Sequence, residues 1–292
     1  MQFGLERCQF VPLSHCEIEQ SSSLGDRIRR VGEATAKSLE EDLSAFDALI
    51  VVFSLPYPFV EMIGYKIASD LKIKPPIIQT LGQNCSSLID GMSLAQAYLD
   101  GGLCSRVLIL CADAFSGLMS PTTLASKPDA SDWRTAGAAV VMSMSAPIKL
   151  SVLGHHSITE PKLSEAFQFQ SCHAFPELHI NPTEHSLFKE IDLENEMLCI
   201  QKAIEGDYSQ GNLLGLVGVN RTIDRTSRLL HALVDIELEG YFSRREIGHS
   251  GTADLVFNIS RYLTSPSRPD RFVMSLNGVG YNWRSIYFEC QL

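Results

Sequence analysis

Apolar positions in this chain come in short blocks separated by segments with helical spacing. Residues 47–55 (DALIVVFSL) form a β-branched apolar run of the kind found in a strand buried on both faces. The segment before it, 24–43 (LGDRIRRVGEATAKSLEEDL), is predicted to be a helix packed on that strand. Residues 59–73 space their apolar side chains as a helix does, and Pro75-Pro76 lies just past its end. A second helix is predicted over 86–102, stopped by Gly101-Gly102. Residues 106–114 (RVLILCADA) and 135–145 (TAGAAVVMSMS) read as two further buried strands, the second with small residues suited to the centre of a sheet.

The next sixty residues are more polar, carry Pro161, Pro176 and Pro182, and show little periodicity before about 190. Beyond them the first pattern returns in outline. Residues 213–219 (LLGLVGV) predict a strand, 221–234 and 251–263 predict helices, and 271–278 with 283–290 predict a terminal hairpin across Gly278-Val279-Gly280. Strands alternating with helices argue for an α/β fold with mostly parallel strands, and the similar order of the two halves argues for an internal duplication.

Composition narrows the function classes. Of 292 residues, 45% are hydrophobic and 20% charged, which fits a globular chain able to bury a full core without disulfides or metal. The net charge of −10 is opposite to the footprint of a protein that wraps a polyanion, so general nucleic-acid binding is not expected. The eight cysteines have neither CxxC nor cysteine-histidine spacing suited to zinc, and they read as free thiols in a reducing compartment. The first 30 residues lack the apolar stretch of a secretory signal, and no apolar run is long enough for a bilayer. These features give the expectation of a cytoplasmic protein with no metal, membrane or nucleic-acid partner.

Three residues stand out chemically. Cys85 falls where an apolar run ends and a helix begins, a position that favours the thiolate through free amides and the helix dipole. His249 (REIGHSGTAD) lies in a turn between Gly248 and Gly251, where a histidine can act as acid or base and glycines admit substrate. Asn220 (GLVGVNRTID) ends a predicted strand. Each also has a structural explanation: a small buried thiol, a helix-capping histidine, a turn asparagine. Ligands bind at strand ends in α/β sheets, so a cysteine in one half facing a histidine and an asparagine from the other would supply nucleophile, base and oxyanion donor.

The stretches IIQTLGQNCSSLIDGMSLAQAYLDGG, RVLILCADAFS, TAGAAVVMS and LNGVGYNWRSIYFEC resemble, in order and spacing, motifs of the thiolase-like condensing enzymes, most closely the type III β-ketoacyl synthase branch. The resemblance spans about two thirds of the chain. It implies a five-layered αβαβα fold built from two duplicated halves, 1–150 with the nucleophile Cys85 and 151–292 with His249. It also implies a Cys-bound acyl intermediate, an oxyanion site formed by backbone amides at Cys85 and in the loop Gly278, Val279, Gly280, and a homodimer. The substrate would be an acyl-CoA or acyl carrier protein thioester, with no bound cofactor.

Two departures bear on the reaction. Type III synthases place histidine in the earlier segment and asparagine in the later turn, whereas here Asn220 is in the earlier segment and His249 in the later turn, an order similar to that of thiolases. Thiolases carry a second cysteine in the terminal glycine loop, but the nearest one here, Cys290, lies ten residues beyond Gly280. The sequence therefore leaves open a condensing synthase, an acyltransferase to another acceptor, a thioesterase, and an impaired partner subunit in a heterodimer with a homologue. Arg27, Arg29, Arg30, Arg244 and Arg245 are candidate contacts for a phosphopantetheine or an acidic carrier, and Trp133-Arg134 for the pocket. The histidines at 155, 156, 173, 179 and 185 have no metal-like spacing, and a loop-rich insertion is expected around them.

Overall fold

The computed structural model describes residues 1–13, 23–54, 60–82, 84–115, 133–163, 167–172, 175–180, 182–205, 213–218, 238–241, 248–278 and 282–292. In chain order the elements are β1 (Gln2–Pro12), α1 (Leu24–Lys37), β2 (Ala48–Phe53), α2 (Val60–Asp70), β3 (Ile77–Gly82), α3 (Ser87–Asp100), β4 (Arg106–Ala114), β5 (Thr135–Ser143) and β6 (Ile148–Thr159). They continue with β7 (Phe167–Cys172), β8 (Phe175–Ile180), α4 (Pro182–Ile204), β9 (Leu214–Gly218), β10 (Leu238–Tyr241), α5 (Thr252–Thr264), β11 (Arg271–Gly278) and β12 (Asn282–Gln291).

The apolar runs become strands because both of their faces are covered. In β2, Ala48, Ile50 and Val52 point to one hydrophobic layer while Leu49, Val51 and Phe53 point to another. Strand alternation thus converts one unbroken run into two buried faces, each large aliphatic side chain contributing about 1.5–3 kcal/mol. The outer layer is closed by α1 and α2, through residues such as Ile28, Val31, Ile63 and Ile67. The inner one holds α3 and α5, whose Leu88, Met92, Val256 and Ile259 pack with Phe272, Met274 and Phe288 from the second half. On the far side α4 covers Leu216, Val273 and Tyr287 with Ile200 and Ala203. The sequence of layers is therefore helix, sheet, helix, sheet, helix.

Sheet topology displays the duplication directly. The strand order is β10-β9-β11-β12-β6-β1-β5-β4-β2-β3. Counting only the strands of this sheet and leaving out the separate β7–β8 pair, both halves read third, second, fourth, fifth, first from the outer edge inward; only β2 with β3 and β4, and β9 with β10 and β11, pair in parallel, so the sheet is mixed and not mostly parallel as expected. The halves join where Gln2–Leu5 of β1 pair antiparallel with Ser151–Ile148 of β6.

Helix ends follow local chemistry. Ser23 caps α1, its Oγ accepting the Asp26 amide at 3.1 Å. That helix ends at Lys37, earlier than its polar pattern predicts, and Glu40 adopts a left-handed φ of 53° just beyond it. The predicted stop of α3 is present: Gly102 takes φ +66°, while the amides of Gly101 and Leu103 bond back to the carbonyls of Ala97 and Tyr98.

The region expected to be a loop-rich insertion is largely regular. His155 and His156 lie on β6, paired with Ile286 and Ser285 of β12, while His179 is on β8 and His185 on α4; His173 lies outside the described residues. Polar residues in core-facing positions hid α4. Asp192 accepts hydrogen bonds from Trp283 Nε1 at 2.7 Å and Asn277 Nδ2 at 3.3 Å, and Glu196 accepts one from Ser275 Oγ at 3.0 Å. These acidic residues interrupt the apolar stripe on which helical periodicity depends. The predicted helix over 221–234 lies outside the described residues. Cys8, Cys85, Cys104, Cys111, Cys199 and Cys290 are free thiols. Among the described residues no helix is long and apolar enough to cross a membrane.

Candidate active site

Cys85 lies in the turn between β3 and α3. Asn84 shapes that turn: its Oδ1 accepts the Ser86 amide at 2.7 Å and the Ser86 hydroxyl, while its own amide donates to Ser87 Oγ at 3.2 Å. The turn delivers the thiol to the inner layer at the amino end of α3, where it is 3% exposed.

His249 reaches the same layer from the second half. Its backbone forms a parallel bridge with Trp133, and the Arg134 amide donates to its carbonyl at 2.8 Å. The imidazole packs beside two mutually contacting aromatic rings, with centroids 5.5 Å from Phe115 and 5.7 Å from Trp133. Its Nδ1 meets Asp254 Oδ2 at 2.6 Å, and Asp254 Oδ1 accepts the Ser250 amide at 2.6 Å. Cys85 lies close enough to the same imidazole to raise its proton affinity. Because Nδ1 is engaged by Asp254, Nε2 is the ring nitrogen left for the thiol.

Electrostatics follow from this row. Burial by itself pushes the His249 pKa down, since a charged ring loses its hydration. The Asp254 carboxylate, by charge and hydrogen bond, outweighs burial together with the Cys85 contact and holds the pKa at about 10. A proton leaving Cys85 therefore has a strong acceptor beside it, and the resulting imidazolium is neutralised on its far side by Asp254.

The structure places Cys85 beside His249, with Trp133, a pocket candidate from the sequence, against the His249 ring. Asn220, Val279 and Gly280 lie outside the described residues. Gly278 ends β11 opposite Asn282, and Gly218, the last described residue before Asn220, is tied to α5 by Asn258 Nδ2 at 2.7 Å from its carbonyl. Sequence reasoning missed Asp254. An acidic residue in a first helical turn is ordinarily explained by the helix dipole, so only the spacing of five from His249 could have singled it out. Of the candidate basic contacts, Arg29 is engaged by Asp70 and Asp26, Arg27 is buried, and Arg244 and Arg245 lie outside the described residues.

Comparisons with known proteins bear on the fold and on the segment that carries Cys85. Residues 81–160, which include Cys85, match the family model of 3-oxoacyl-[acyl-carrier-protein (ACP)] synthase III. A β-ketoacyl-[acyl-carrier-protein] synthase III of Streptomyces coelicolor is 26% identical over 104 residues, a stretch covering 36% of this chain and only 31% of that relative's length. The whole fold is similar to FabH of Pseudomonas aeruginosa, with a TM-score of 0.72 at 13% identity over 99% of this chain and 98% of that one. It is also similar to OleA of Xanthomonas campestris, with a TM-score of 0.73 at 12% identity over the same shares. At such identities the structural likeness speaks to the fold, while the matched segment carries the branch. Residues 81–160 are thus similar to the β-ketoacyl synthase III family, and the whole chain shares the fold of FabH and OleA.

Proposed function

We propose that the protein is an acyltransferase in which Cys85 takes an acyl group from a CoA or acyl carrier protein thioester and passes it to a hydroxyl or amine acceptor. The observation that carries this reading is the continuous row Cys85, His249, Asp254, with Nδ1 of the histidine 2.6 Å from the carboxylate. In the first half-reaction His249 takes the Cys85 proton and the thiolate adds to the thioester carbonyl. The tetrahedral adduct collapses, the carrier thiolate leaves, and His249 returns the proton to it. In the second, His249 takes the proton of the acceptor O–H or N–H as that atom attacks the acyl-cysteine. Cys85 then leaves as a thiolate and recovers the proton.

The carboxylate behind His249 favours this chemistry over decarboxylative condensation, because once the ring has given its proton to the leaving thiol, Asp254 draws the acceptor's proton onto it. A decarboxylating donor makes its carbanion by losing carbon dioxide and needs hydrogen-bond donors on a carbonyl, not a base. An alcohol or amine must give up a proton, and a histidine backed by a buried carboxylate is suited to receive it. Condensation is the second reading, supported by the reactions named for the synthase III relatives, and it would require Asn220 to share the thioester carbonyl with His249.

A chase experiment separates the two. Acyl-Cys85 enzyme is formed, freed of donor, and mixed with malonyl thioester, with a panel of alcohols and amines, or with buffer alone. Discharge by a protic acceptor, giving an ester or amide, is the expected result. Discharge only by malonyl thioester with release of carbon dioxide would establish condensation instead, and discharge in buffer alone would indicate a thioesterase.

A further inference from the structure

The row Cys85, His249, Asp254 is assembled from two halves of the fold, so the turn bearing His249 must be fixed against the first half. Beyond the backbone contacts of Trp133 and Arg134 with His249, Asp113, at the end of β4, joins them through side chains. Its carboxylate is fully buried and accepts four hydrogen bonds. Two come from Ser54, the residue after β2: the amide at 2.6 Å and Oγ at 3.3 Å. The other two come from Thr252, the first residue of α5: the amide at 2.7 Å and Oγ1 at 2.5 Å. The Thr252 amide is shared with Ser54 Oγ at 3.1 Å. Gly251 crosses this junction at φ +61°, so close that a Cβ there would lie 2.6 Å from Asp113 Oδ2.

Three consecutive contacts thus define the turn. The His249 ring lies beside Cys85, Thr252 bonds to Asp113, and Asp254 to the His249 ring. We propose that Asp113 is a positioning residue that fixes the His249 turn at its working distance from Cys85 without touching either reacting atom. Nothing in the family match assigns it this part, and the inference rests on Cys85 and His249 acting as a pair, whatever the acceptor. Among the described residues no cation pairs with Asp113; the titratable group that faces it is Cys111 on its own strand. Burial pushes its pKa up to about 6 against the opposing pull of the Thr252 and Ser54 hydrogen bonds, so at neutral pH it is an ionised acceptor. A carboxylate is suited to this place because all four partners are donors, and a helix amino end favours negative charge.

The test uses Asp113→Asn in the full chain. An amide keeps the shape but turns one acceptor into an NH₂ group facing donors. The readouts are the titration of His249 by NMR with 13Cε1-labelled histidine, and the alkylation of Cys85 by iodoacetamide followed by mass. The charges that set His249 directly are Asp254 and Cys85, so movement of its midpoint in an Asp113 variant reports displacement of the ring. The expected result is a midpoint lowered from near 10 toward 6.5 by about one pH unit or more, and alkylation at pH 7 slowed about tenfold. Thr252→Val removes one hydroxyl donor and shifts both readouts in the same direction, and Thr252→Ser restores them. This pair carries the test if Asp113→Asn does not fold. A lower melting temperature with unmoved titration and alkylation, or equal behaviour of the Val and Ser variants, overturns the proposal. A wild-type His249 midpoint near 6.5 would overturn the acyltransfer reading as well, which distinguishes the two failures.

Discussion

Asp254→Asn removes a charge from the back of His249 while leaving a side chain of the same shape beside Ser250. In the native site the His249 pKa stands at about 10 against an ordinary 6.5, a difference of 10 − 6.5 = 3.5. At about 1.36 kcal/mol for each pKa unit, this is about 5 kcal/mol favouring the imidazolium, net of burial. Cys85 supplies part of it. If Asp254 supplies half, its removal raises the barrier for thiol deprotonation by about 2 kcal/mol, or about 30-fold in rate. An amide at this place also permits the ring to flip or change tautomer, which adds to the loss. The assay is the rate of adduct formation at Cys85 from an acyl-CoA at pH 7, read by quenched mixing and intact mass, with circular dichroism to confirm the fold. An Asp254→Asn protein that acylates at the wild-type rate with the wild-type pH dependence would refute the role of the His249–Asp254 pair.

Other consequences are independent of the acyl donor. Gly251→Ala places a Cβ 2.6 Å from Asp113 Oδ2 and 2.7 Å from Phe115 Cε2 in a backbone conformation that L-residues avoid, so it should lower stability by about 2 kcal/mol or more by urea titration and abolish Cys85 acylation. The stability supplied by the His249–Asp254 contact has a defined pH window. A histidine whose folded pKa exceeds its unfolded value of 6.5 contributes fully below pH 6.5 and loses that contribution as pH rises through about 10. The melting-temperature gap between wild type and Asp254→Asn should accordingly be widest at pH 6 and closed above pH 10; a gap that widens with pH would contradict this sign. Arg284 pairs with Asp90 at 2.6 Å across the two halves, but both side chains are partly exposed, and Arg284→Ala should cost less than about 1 kcal/mol by the same titration.

The sequence made legible what depends on continuous runs and glycine stops. The strand at 47–55 and the helix ended by Gly101-Gly102 were predictable because burial on two faces and a left-handed glycine leave unambiguous local signals. The helix α4 was not, because its core face carries Asp192 and Glu196, whose partners on β11 and β12 lie far along the chain. The same division holds in the site. Cys85 and His249 occupy turns that local pattern identifies, whereas Asp254 and Asp113 look like ordinary acidic residues until the halves meet. Asp254 has His249 only five residues back but passes for a helix-dipole acid, whereas Asp113 acts on Ser54 and Thr252, partners that no local window includes.

The most direct measurement is intact-protein mass spectrometry after brief exposure to a panel of acyl-CoA and acyl carrier protein thioesters, with Cys85→Ala and His249→Ala alongside. The account predicts one acyl adduct on the wild-type chain, none on Cys85→Ala, and slow formation on His249→Ala. No adduct from any donor, or an adduct that persists in Cys85→Ala, would contradict it.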